Sequence, residues 1–262
     1  MPSPHLYCLV GIAVLVLAPL AGCHNISPAE QPDVAVPHLL ELLRDPSPDM
    51  RRTAALSLGK IADVHAVPGL VLGTSDQDPL VRQYSVWALG TIGEAALDHA
   101  GFALVARLSD PSPAVQAAAA RAIGRVGATQ GMLELVLDAL KDDEVETRRA
   151  AALALTWLEA PAAFFALAEA LEDDDGGVRQ HAVAALGELA DARAIPAFRH
   201  RLVSDDDPGV RAEAAYRLGK LGDAAVLPVL QFIAGKDENA GVRRWAAWAV
   251  AEITQGGTAT RS

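Results

Sequence analysis

The sequence predicts an all-α fold, a right-handed α-solenoid of about seven stacked helical pairs. Three observations carry this prediction. First, a Val-Arg pair or a close variant recurs, its opening residues being Met50, Val81, Val115, Thr147, Val178, Val210 and Val242, in steps of 31, 34, 32, 31, 32 and 32 residues. Sustained self-similarity of this kind means stacked units, none of which can bury its apolar face alone. Second, every copy carries an apolar stripe at the same helical spacing. Third, alanine supplies about a fifth of the chain while aromatics are 5%. That balance suits closely packed helices and argues against a β-sandwich or barrel.

Composition also bounds function. At 262 residues, 51% apolar and 21% charged, the chain is not disordered throughout. A net charge of -11 disfavours nucleic acid as the main partner, because phosphate binding needs a basic surface. Two cysteines exclude a disulfide scaffold or a Cys-rich metal site.

Residues 1–29 contain no Lys, Arg, Asp or Glu, and Leu6–Leu17 is an almost unbroken apolar run. Small residues close it, which reads as a secretory signal peptide, and it is short for a membrane span. The tetrad Leu20-Ala21-Gly22-Cys23 resembles the lipobox of bacterial lipoproteins. That resemblance implies loss of residues 1–22 and lipid attachment at Cys23. With no Lys or Arg in Met1–His5, an uncleaved anchor or a buried helix is the other reading. Residues 23–32 read as a tether, with Pro28 and Pro32 opposing helix. Residues 33–256 hold the repeats and 257–262 a tail.

Within each repeat the second helix, B, is the better marked. Three residues before each opening stand Ser47, Asp78, Ser112, Glu144, Asp175, Asp207 and Asn239, all but Glu144 good N-caps. Pro48, Pro79, Pro113 and Pro208 follow at N1, where proline costs nothing. The stripe continues four, eight and eleven residues after the opening, as in Ala214, Leu218 and Leu221. These positions lie within about 80° on a helix. Gly59, Gly90, Gly124, Gly187 and Gly219 stand nine after the opening and read as packing or helix-end glycines, not phosphate loops.

A first helix, A, precedes each B helix. Four begin with an apolar residue before proline: Val36-Pro37, Val67-Pro68, Ile195-Pro196 and Leu227-Pro228. An acidic turn links A to B. The fourth unit, opening on Thr147 with Thr156 in place of glycine, is the least regular, and a change of curvature is expected there.

The pattern Asp-x-x-x-Ile-Pro at 191–196, then Asp-Asp-Asp-Pro-x-Val-Arg-x-x-Ala-Ala-x-x-Leu-Gly at 205–219, resembles the HEAT repeat. It is nearest to the short HEAT-like repeats first noted in phycobilisome lyases. The resemblance implies that acidic turns pair with Arg82, Arg179, Arg211 and Arg243 of neighbouring units, and that B helices line a concave face. A cation-binding edge is the other reading of the acidic turns. The family also holds enzymes, which allow tests. The sequence has no His-Glu dipeptide, nucleophile elbow, Walker A loop, Cys-x-x-Cys or His-Glu-x-x-His. Its histidines do not recur at the repeat spacing.

The expectation is therefore a non-enzymatic protein–protein interaction scaffold. It has no catalytic residue, metal or cofactor, and is held by lipid at the bacterial cell envelope, exported to the periplasmic or outer-surface side. A cytoplasmic adaptor, or a lyase subunit acting on a protein partner, is the alternative. The expected partner is a protein or peptide, with the membrane reached only through the lipid, and with no nucleic acid or small-molecule substrate. All Trp, at 87, 157, 245 and 248, and Tyr84 and Tyr216 fall on B helices. Trp87, Tyr216 and Trp248 share the register six after the opening, which points away from the stripe. They line a groove or pack on the neighbouring repeat. The candidate partner-binding residues are these six aromatics with Arg52, Arg149 and Arg244 on the rim.

Overall fold

A computed structural model describes residues 32–259. Cys23 and the expected signal peptide lie outside the described residues. Among the described residues there are helices and no strands, arranged as seven A/B pairs. The first three are α1 (Pro32–Leu42) with α2 (Pro48–Ile61), α3 (Val67–Gly73) with α4 (Pro79–Ile92), and α5 (Leu97–Val105) with α6 (Pro113–Val126). Then come α7 (Gln130–Ala139) with α8 (Val145–Leu158), and α9 (Phe164–Ala170) with α10 (Gly176–Glu188). The last two are α11 (Ile195–Ser204) with α12 (Pro208–Leu221), and α13 (Leu227–Lys236) with α14 (Ala240–Ala259). The chain is an all-α solenoid.

The stripe forms the core. Val81, Val115, Val178, Val210 and Val242 are fully buried, as are Leu58, Leu89, Ile123 and Leu218. Most A helices start through a 3-10 turn that the pattern did not reveal. Asp63, Asp191 and Asp223 accept the N–H two residues on, at 2.8, 2.9 and 2.9 Å, and so nucleate it. Helix α7 lacks this turn, and Thr129 Oγ1 accepts from Met132 N at 3.3 Å instead. Four B helices carry the expected side-chain cap, from Asp78, Asp175, Asp207 and Asn239, whereas Ser47, Ser112 and Glu144 make none.

The glycines at position nine are packing glycines. A Cβ on Gly90 would stand 2.9 Å from Ala122 Cα, and one on Gly219 2.7 Å from Ala249 Cβ. Removing that Cβ lets successive B helices touch along their backbones. They pack in unbroken succession from α2 to α14, while the A helices contact each other closely only around α5. The tighter layer is the inner side of a curve, so B helices line the inner face.

Between repeats runs a ladder of ion pairs. The residue after each opening is Arg51, Arg82, Gln116, Arg148, Arg179, Arg211 or Arg243. Arg179 shows the rule. Its Nη1 donates to the carbonyls of Asp173 and Asp174, at 2.8 and 3.0 Å, in its own turn. Its Nε and Nη2 donate to both carboxylate oxygens of Asp205 in the next turn, at 2.9 and 2.7 Å. Asp205 in turn accepts from the N–H of Asp207, the cap of α12, at 3.0 Å. The same fork joins Arg51 to Asp76, Arg82 to Asp110, Arg148 to Asp173 and Arg211 to Asp237. Gln116 is too short to bridge and donates to Asp110 O within its own turn, so the rung to Asp142 is missing. The acidic turns are thus structural ties.

The ladder makes stability depend on acid. Burial pushes the Asp110 and Asp205 carboxyls up, but the arginine fork and a backbone N–H outweigh it and hold both below the ordinary value. Asp76 and Asp237 are lowered in the same way. Asp78 and Asp175, bonded first of all by Arg52 and Arg149, fall to about 2. A lowered folded-state value gives stability that is present above the unfolded value and lost as pH falls through the folded one. The melting temperature is therefore expected to hold at neutral pH and to drop between about pH 4 and about pH 2. Thermal melts followed by circular dichroism check this. An unchanged melting temperature down to about pH 2 would mean the rungs add no stability.

Candidate binding surface

Position six of each B helix points to the inner face. In order it holds Leu56, Trp87, Arg121, Leu153, Ala184, Tyr216 and Trp248. The ring of Trp87 or Trp248 sits on the preceding repeat's glycine. A Cβ on Gly59 would lie 2.3 Å from the Trp87 ring, and one on Gly219 2.9 Å from the Trp248 ring. Both rings are half-buried. They therefore pack on the neighbouring repeat with one face and border the inner surface with the other.

Two patches result. Between α4 and α6, Tyr84 and Trp87 wall a cavity of about 250 Å³ whose other side is Arg121 and Arg125. These two arginines stand one helical turn apart and are exposed. Neither has an ion-pair partner among the described residues. They were absent from the sequence expectation, which looked for basic residues only at position two. The same register arithmetic, read at positions six and ten, would have found them. The second patch is an aromatic cluster at the C-terminal end. Tyr216 stacks on Trp248 with centroids 5.2 Å apart, and Trp245 meets both edge-on at 5.2 and 5.7 Å. Arg217 lies over Tyr216 at 5.2 Å, and its charge is met by Glu188 and Glu213 at 2.8 and 2.7 Å. This patch is apolar, while the first is cationic.

The remaining candidates fall elsewhere. Trp157 is 55% exposed and its Cβ seats on Gly124, away from both patches. Arg52 and Arg149 do not rim the face as free charges. Each forks onto the next repeat's cap, Asp78 and Asp175 respectively, and these bonds raise both guanidinium values. The physical reason is that position two points along the stack as well as inward. Arg244 is exposed and unpaired among the described residues. The outer face has a feature the sequence did not signal. Phe102, Phe165 and Phe232 on A helices are 61%, 75% and 63% exposed, whereas Phe198 is core. Among the described residues no group of three or more His, Cys, Asp or Glu side chains forms a metal site.

A profile of HEAT repeats matches residues 36–100, 103–180 and 166–251. The chain belongs to the HEAT-repeat family. No curated protein matches it. Among solved structures, YibA of E. coli superposes with a TM-score of 0.55 at 21% identity, covering 87% of this chain and 84% of that one. The complex of CpcE and CpcF of phycocyanin lyase from Nostoc sp. PCC7120 superposes with a TM-score of 0.51 at 18% identity, covering 89% of this HEAT-repeat chain and 100% of that one. Human deoxyhypusine hydroxylase in complex with glycerol is 26% identical over 84% of each chain, at a TM-score of 0.44.

These neighbours correct one expectation. The non-enzymatic assignment rested on missing motifs, yet the HEAT-like solenoid of this chain is also the fold of a lyase complex, and a hydroxylase stands among the similar structures. Fold and motif absence together do not separate scaffold from enzyme, so that assignment is withdrawn.

The two patches predict different responses to truncation. Trp87→Ala empties the seat on Gly59 and is expected to lower stability by about 3 kcal/mol. Arg121→Glu with Arg125→Glu removes exposed, unpaired groups and is expected to change stability by less than about 0.5 kcal/mol. Urea unfolding of both variants checks this. A small loss for Trp87→Ala would mean its ring does not hold the repeats together.

Proposed function

We propose that this HEAT-repeat protein is a scaffold that holds an acidic segment of a protein partner along its inner face. The observation that carries the reading is the pocket between α4 and α6. In a chain of net charge -11, two unpaired arginines face Tyr84 and Trp87 with no carboxylate beside them. Guanidinium groups recognise carboxylates by paired hydrogen bonds, and Tyr and Trp supply rigid contact area. The apolar cluster of Tyr216, Trp245 and Trp248 gives the same segment a second anchor four repeats away. Two modest contacts on one continuous surface add through effective concentration. Trp157 and Arg244 flank this path.

The envelope assignment belongs to the same proposal. Cys23 in Leu20-Ala21-Gly22-Cys23 is the lipid attachment point, and the membrane is reached through that lipid. Several acyl chains give a stable anchor where one gives reversible binding. No helix among the described residues is long and apolar enough to cross a membrane.

Two measurements test the proposal. Fluorescent peptides rich in Asp and Glu and carrying one aromatic residue are expected to bind, and their Lys-rich counterparts are not. Arg121→Glu with Arg125→Glu should weaken the acidic peptide by about tenfold or more and flatten its salt dependence. Equal binding of both peptide classes, or binding indifferent to the double variant, would contradict it. Metabolic labelling with a fatty acid should mark the wild type and leave Cys23→Ser unmarked. An unlabelled wild type would remove the anchor.

A further inference from the structure

The ladder has two loose ends. Arg243, in the last repeat, repeats the internal geometry: its Nη1 donates to the carbonyls of Asp237 and Glu238 at 2.8 and 2.9 Å. Its Nε and Nη2 have no carboxylate among the described residues, because the next turn does not exist and Asp237 is taken by Arg211. At the other end Asp45 has the ladder aspartate's turn, accepting from Ser47 N at 2.8 Å. No arginine forks onto it among the described residues.

The surface around Arg243 is also unfinished. In the six earlier repeats the residue five after the opening is Ala55, Val86, Ala120, Ala152, Val183 or Ala215, each fully buried against the next unit. Its counterpart Ala247 is exposed, and Val250, whose counterparts are all buried, is half-exposed. A terminal repeat normally replaces such positions with polar residues for solubility. The first repeat does so, with Ser57 where later ones have Ala88, Ala122, Ala154, Ala185 and Ala249. The last repeat keeps the interior pattern.

We propose that the C-terminal end of the solenoid docks the N-terminal end of a second copy of this chain, with Arg243 forking onto the second copy's Asp45. Charge, turn geometry and register all match the internal rungs. The small pair Ala251 and Ser57 would meet where Thr156 and Ala185 already meet by register inside one chain. The contact is heterologous, so copies add in line, end to end. This inference is independent of the inner-face pocket.

The test uses the full chain carrying Cys23→Ser, studied by sedimentation equilibrium over a wide protein range. Association that grows with concentration is expected. Arg243→Glu alone and Asp45→Arg alone should each weaken it by about tenfold or more, with helical content unchanged, since neither residue serves an internal rung. Mixing the two variants should restore it. The C-terminal end made acidic in one variant then faces the N-terminal end made basic in the other, and the two unaltered ends keep the original pairing. A chain that stays monomeric, association indifferent to either substitution, or a mixture that stays apart would each overturn the proposal.

Discussion

The fork that Arg179 throws from its own turn to Asp205 in the next is the interaction on which the stack depends. One guanidinium makes four bonds: two to backbone carbonyls that fix the turn, and two to a carboxylate that fixes the neighbour. The carboxylate passes the order on by accepting the N–H of the next helix's cap residue. Both side chains are nearly out of solvent, 8% and 0% exposed, so each would be costly without the other. Apolar burial supplies most of the driving force, but it is non-directional. The fork sets the translation and rotation from one unit to the next.

That constraint decides which charges are available for anything else. The acidic turns look like a cation-binding edge in isolation, yet their ladder carboxylates are spent on arginines. Arg52 and Arg149 are spent on helix caps in the same way. What is left over is informative by contrast. Arg121 and Arg125 beside Trp87 are basic groups with no structural duty visible among the described residues, set against an aromatic wall.

Much of the fold was legible because stacking forces periodicity. The stripe at Val210, Ala214, Leu218 and Leu221 must repeat wherever a unit repeats, and the glycine at 219 must repeat wherever two B helices touch. The six aromatics were correctly placed on B helices. Their double role was not legible, because a register angle gives direction around one helix and not the distance to the next. Trp87 faces inward and also rests on Gly59, and only the interhelical spacing shows both. Arg121 escaped notice because it breaks the aromatic pattern at its own position. The exposed Phe102, Phe165 and Phe232 escaped because apolar residues on an amphipathic helix are first read as core.

The central claim is that the fork couples neighbouring repeats, and a double-mutant cycle on Arg179→Ala and Asp205→Ala measures that coupling directly. Urea unfolding of the wild type, the two single variants and the double variant gives the interaction energy. The account predicts that each single substitution is strongly destabilising, because it strands a buried charge, and that the pair together costs less than their sum, with a coupling of about 1–3 kcal/mol. Additive losses, with coupling below about 0.3 kcal/mol, would show that apolar packing alone sets the stack and would contradict the account.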